Sequence, residues 1–208
     1  MSAPGGHLLW RALGDLVYVL NVRDGRYAGL SGRDAERWVQ SYGAARTTRA
    51  TPAPAGASAA RPPAWGRLAP RLLAWQVNRR VRRLLADGRF EALYALAESM
   101  VPAPASTPAP ARTPEPPQVL RAFLQAELLF ANRNPDRDCL VRSFSLFLFL
   151  RALGFAAVHR IGFRACPFDA HAWVELDGAA ILERGAAMDR WHGISIIGQA
   201  HDPVAAAA

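Results

Sequence analysis

Lysine is missing from this chain: all 25 basic residues among its 208 are arginine. That absence changes what a net charge of +8 and a pI near 10.8 mean. An all-arginine balance in a chain rich in alanine, glycine and proline reads as GC-rich coding, so nucleic-acid binding is set aside. Attraction of an acidic peptide to the basic surface stays open. Cysteine is scarce as well, with two residues. The start shows no basic segment leading into an apolar stretch and a cleavage site, so no secretory signal is expected. Together these exclude a disulfide scaffold and point to a reducing cytoplasm. Long apolar runs are absent too. The oily stretch Phe144 to Leu150 stops at Arg151, far short of the ~20 residues that span a bilayer. No glycine-rich phosphate loop appears, and no cofactor is called for. Cys139, Cys166, His159 and His171 form a conceivable metal set, but their spacing fits no ordinary zinc pattern, and no metal is expected.

Hydrophobic residues make up 51% of the chain and charged ones 20%, enough for a packed core. Two Ala/Pro stretches, Ala44 to Pro63 and Val101 to Pro117, read as extended linkers. Before the first, Leu16, Tyr18, Leu20 and Val22 alternate with Asp15, Val17, Val19 and Asn21, a strand pattern with one apolar face. Asp24-Gly25 marks a hairpin turn, Tyr27 to Leu30 a further strand, and Ser31 a helix N-cap. This block of two or three strands and a helix is too small to stand alone. From Trp65, the residues Leu68, Leu72, Leu73, Trp75, Val77, Val81, Leu84 and Leu85 fit a helix. Its "RRVRR" segment reads as a solvated face. Gly88 breaks it, and a second helix runs from Phe90 to Met100. A helix over Val119 to Phe130, a polar turn, and a helix from Cys139 to Leu153 capped by Gly154 follow. "AAVHRIGF", "HAWVEL", "AAILER" and "HGISII" are strands, with Asp177-Gly178 turning between the second and third. The fold class is α+β.

The chemistry gathers where "DRD" gives way to "CLVRSFSLFLFL". With Asp138 as N-cap, Cys139 takes the first helical position. There the free N–H groups and the positive end of the helix favour a thiolate and suit an oxyanion. Leu140, Phe144, Phe147, Leu148 and Leu150 anchor the helix. The alternative is a small buried apolar cysteine. A thiolate nucleophile needs an imidazole. Among His7, His159, His171, His192 and His201, His171 is the candidate, on a strand that puts His171, Trp173 and Glu175 on one side. A structural strand histidine is the competing reading. A three-residue hairpin loop at Asp177-Gly178 places Glu183 opposite His171, where it would fix the tautomer as a third triad member. A two-residue loop places Arg184 there instead. Asp189 and Asp177 are the other carboxylates in reach.

"CLVRSFSLFLFLRALGF", "HRIGF" and "HAWVELDGAAILE", in this order and separation, resemble the transglutaminase-like cysteine peptidases of lasso-peptide biosynthesis, the leader-removing B proteins. "YVLNVRDGRYAGLSGRDAERWV" is similar to the start of the precursor-peptide recognition domain of peptide-modifying pathways. The resemblance implies a winged-helix-like recognition domain at 1–45, an Ala/Pro linker at 46–64, and a papain-like α+β peptidase domain at 65–208 with a flexible 101–117. Its catalytic helix would pack on an antiparallel sheet. The resemblance also implies Cys139 as nucleophile, His171 as base and Glu183 where the family usually has aspartate. The partners would be a precursor peptide, bound by its leader along Tyr27, Ala28 and Leu30, and an asparagine-synthetase-like lasso cyclase. Acyl transfer to an amine, or leader binding without catalysis, are the alternatives.

Overall fold

The computed structural model describes residues 7–42, 69–100, 116–130, 138–165, 167–183 and 188–198. The Ala/Pro stretches at 44–63 and 101–115, the polar turn at 131–137, and Leu68, Cys166, Arg184 and His201 lie outside the described residues.

The chain opens with strands β1 (Leu8–Leu13), β2 (Leu16–Asn21) and β3 (Tyr27–Ser31), then helix α1 (Gly32–Tyr42). The sheet is antiparallel, in the order β1-β2-β3. In the β2–β3 turn Gly25 takes φ 73, and a Cβ there would meet the Phe90 ring at 2.8 Å. Glycine is needed for both reasons. The alternation in β2 predicts one buried face, yet Val17, Tyr18, Val19 and Leu20 are all buried. The strand is covered twice: Tyr18, Leu20 and Val22 enter the main core, while Val17 and Val19 pack with Ala35 of α1 and the nearby Trp38.

Helices α2 (Pro70–Ala86), α3 (Phe90–Ser99), α4 (Pro116–Glu127) and α5 (Cys139–Ala152) come next. They precede β4 (Val158–Arg164), β5 (Asp169–Leu176), β6 (Ala179–Ala180), a 3-10 turn at Met188–Arg190, and β7 (His192–Ile197). This second sheet is antiparallel in the order β6-β5-β4-β7. The architecture is α+β. Pro116 and Pro117, expected in a linker, instead form the first turn of α4. Proline belongs there because its missing N–H has no helical partner to lose. Leu72, expected in the core, is 45% exposed. The buried stripe of α2 runs instead through Leu73, Ala74, Val77, Asn78 and Val81.

Helix α5 is the centre of the molecule. Every residue from Ser143 to Leu150 is buried, because α5 packs on β5 and on α2. A helix enclosed on both sides needs no polar stripe. Burying each of its Phe and Leu side chains stabilises the fold by about 1.5–3 kcal/mol. The two sheets meet at an aromatic seam. Tyr18 stacks on Phe163 at 5.4 Å and on Phe168 at 5.9 Å. Tyr27 lies 5.6 Å and 6.0 Å from the same two rings. The Arg11 guanidinium donates to the Gly193 carbonyl over 2.8 Å. Among the described residues, no helix is long and apolar enough to cross a membrane.

Candidate active site

Cys139 is the first residue of α5, half-buried at the open end of a rigid helix. Asp138 occupies the N-cap position, but its side chain makes no capping hydrogen bond. Its φ of −98° and ψ of 25° lie outside the extended conformation that aims a cap side chain at the helix. The carboxylate turns to Arg82 at 3.8 Å instead. The first N–H groups of α5, which have no intrahelical partner, are therefore not capped by the Asp138 side chain.

His171 stands on β5, paired in register with Gly162 of β4. Its Nε2 lies 2.9 Å from Glu183 Oε2. The Cys139 side chain lines the same cavity as this ring and acts on its charge. Burial disfavours the charged ring. Interactions with Cys139 and Glu183 outweigh it and raise the His171 pKa to about 9. These opposing causes leave the charged form of the ring favoured.

Aromatic rings enclose this contact. Trp191 lies tilted on His171 at 5.1 Å, and Trp173 lies parallel to it at 6.1 Å. The Arg164 guanidinium covers Trp191 at 5.2 Å and is held by Asp169 at 3.0 Å. Gly162 makes room for Trp173: a Cβ there would sit 2.9 Å from the indole.

A cavity of about 220 Å³ opens beside the thiol and the imidazole. Cys139, Arg142, Ser143 and Leu146, one stripe of α5, form one wall. Val174, Ile181, Leu182 and Met188 give it an apolar interior. Arg142 Nε faces the buried Glu127 at 3.5 Å, which ties α5 to α4. Ser143 Oγ donates to the Leu140 carbonyl at 3.3 Å and lies 3.0 Å from Nε2 of the fully buried His159.

The expected hairpin route to Glu183 is wrong. Asp177 and Gly178 have φ 52 and 79, and Leu176 pairs with Ala179. That is a two-residue type I′ turn, the register that leads towards residue 184. Glu183 nevertheless reaches His171, and Leu182 just before it has φ 59. Asp177 and Asp189 are exposed, and neither lines the cavity. Tyr27, Ala28 and Leu30 also lie away from the cavity, on the edge strand of the first sheet. Tyr27 is half-exposed at the aromatic seam, while Leu30 packs towards α1. Among the described residues, no group of three or more His, Cys, Asp and Glu side chains is placed to hold a metal ion.

Comparison with known families decides the class of this domain. The family model of the transglutaminase-like superfamily matches residues 73–195, more than half of the chain. The chain belongs to the transglutaminase-like superfamily. No curated protein and no solved structure matches it. The superfamily includes cysteine peptidases. The superfamily segment runs from α2 into β7, so it contains Cys139, His171 and Glu183 and leaves out the first sheet and α1. Within it, sequence reasoning missed Arg142, Ser143, Trp191 and the purpose of Gly162. The i+3 and i+4 spacing from Cys139 marks Arg142 and Ser143. A glycine inside a strand marks a close approach. Nothing local marks Trp191.

Proposed function

We propose that this chain is a cysteine peptidase that binds the leader of a ribosomally made lasso precursor peptide and cleaves it from the core. The observation that carries the reading is the contact of thiol, imidazole and carboxylate at the mouth of a cavity. Cys139 sulfur attacks the scissile carbonyl, and the first N–H groups of α5 receive the negative charge that forms on its oxygen. His171 gives its proton to the leaving amine, the C–N bond breaks, and a thioester to the leader remains. His171 then takes a proton from water, whose oxygen attacks the thioester and restores the thiolate. The Glu183 carboxylate holds the ring in place throughout and stabilises its charged form. The free core N-terminus passes to an asparagine-synthetase-like cyclase in the same cytoplasm.

Residues 1–45 serve as the recognition domain and 65–208 as the peptidase domain. β3 is an edge strand, which suits addition of the leader as a further strand. Gly29 of β3 lies against the ring of Phe168, three residues before His171. A leader held on β3 through Tyr27, Ala28 and Leu30 is thus tethered near the catalytic strand, at raised effective concentration.

Incubation with the precursor encoded beside the gene, followed by mass spectrometry, tests this. The expected products are two fragments whose masses sum to precursor plus one water. A cross-linked product with loss of ammonia would instead assign acyl transfer, which the superfamily match also admits. Tyr27→Asp weakens leader binding about tenfold or more and leaves cleavage of a leaderless short peptide unchanged. Unaltered leader affinity removes the β3 assignment.

A further inference from the structure

Glu183 does not follow the arithmetic of its own hairpin. The turn pairs Leu176 with Ala179 and Glu175 with Ala180. One more step is regular, since the Ile181 N–H donates to the Val174 carbonyl at 3.0 Å. Continued, the register sets Leu182 against Trp173, Glu183 against Ala172 and residue 184 against His171. Residues opposite each other share a face of the sheet. Ala172 is 2% exposed, inside the main core, so a carboxylate beside it would lie unpaired in hydrocarbon. Yet Glu183 meets His171.

The regular path ends at Leu182, whose φ is 59. Among the described residues it is one of two non-glycine residues with positive φ, the other being Asp177 in the turn. Aspartate tolerates that conformation through its short polar side chain, whereas leucine gains nothing locally and is strained. Strain at an apolar residue directly before the carboxylate points to a purpose.

We propose that Leu182 is a positioning residue whose left-handed backbone turns the chain out of the β5–β6 register, so that Glu183 faces His171. Its side chain lines the cavity, which explains leucine over glycine: glycine would take the turn freely but leave a gap in the apolar wall. The consequence for turnover rests on the peptidase reading. The backbone assignment does not.

Four variants, Leu182→Gly, Leu182→Asn, Leu182→Ala and Leu182→Val, made with Glu183→Gln in a Cys166→Ser background, separate backbone from side chain. The first readout is the rate at which iodoacetamide alkylates Cys139 at pH 6.5, which follows the strength of the thiolate–imidazolium pair. Leu182→Gly and Leu182→Asn, which accept positive φ, keep the rate within about twofold of the parent. Leu182→Val, barred from it, slows alkylation about tenfold, as Glu183→Gln does. The second readout needs no activity and covers an unfolded Leu182→Val. Leu182→Gly melts about 2–4 °C above Leu182→Ala, the reverse of the order at an ordinary extended position. Parent-like alkylation by a folded Leu182→Val, or Leu182→Ala melting above Leu182→Gly, overturns the proposal. Cleavage of the precursor by Cys139→Ala would instead sink the peptidase reading and leave the Leu182 assignment standing.

Discussion

Two histidines on neighbouring strands touch the same helix one turn apart. His159 of β4 meets Ser143, and His171 of β5 meets Cys139. His159 is wholly enclosed, stacked on Phe144 at 4.1 Å and edge-on to Phe147 at 5.8 Å. Among the described residues no acid is paired with it, and burial pushes its pKa down to about 3. It is a neutral ring that donates from Nε2 to a serine, whose hydroxyl in turn donates to Leu140 in the first turn of α5. His171 is also screened from water, yet its interactions with Cys139 and Glu183 carry it to about 9. Burial alone keeps a histidine neutral, whereas burial beside a carboxylate and a thiol favours its charged form.

The largest break in this contrast is Cys139→Ala. Precursor cleavage falls to background, while His159 and the melting temperature stay close to the parent. Retained cleavage would falsify the nucleophile. Next is Glu183→Gln, which removes the carboxylate at Nε2 and lowers turnover about 10²-fold or more. With His171 as the proposed acid, activity falls as pH rises through about 9. In the variant that limb moves down towards 6.5, and a pH–rate profile with an unmoved limb would remove Glu183 from the site. The same contact supports the fold with the same sign: its contribution is complete below pH 6.5 and is lost as pH rises through about 9.

Gly162→Ala should act more mildly. The new Cβ displaces the Trp173 indole stacked on His171. A cost of about 1–3 kcal/mol in stability is expected, read by denaturant unfolding, with a several-fold loss of turnover. His159→Leu is the smallest in activity, changing turnover at neutral pH less than tenfold, and it sharpens the contrast through acid stability. The folded pKa of His159 lies below the ordinary 6.5. The unfolded chain therefore takes up this proton first, and the parent loses stability as pH falls from about 6.5 towards 3. His159→Leu lacks that component, so its acid unfolding curve is flatter over the same range.

Much of this was legible in the sequence where one local rule governs. A polar segment before an apolar run placed the start of α5 at Cys139. Asp177-Gly178 located the turn between β5 and β6. The sequence was less informative where distant packing decides. The double burial of β2 depends on α1 and on Phe163 and Phe168, which alternation within β2 cannot report. The outward turn of Leu72 depends on which face of α2 the other helices cover. Glu183 was named by a wrong route, because no signature marks a left-handed leucine and the three-residue loop happened to give the same neighbour. Trp191 comes from a segment that only the folded chain brings over His171.

The most direct measurement is an NMR titration of both imidazoles in one sample of the full chain. The account predicts that the His171 ring titrates near 9, while His159 stays neutral until near pH 3. Two ordinary midpoints near 6.5 would contradict it, because neither the favoured imidazolium at His171 nor the buried neutral ring at His159 would then exist.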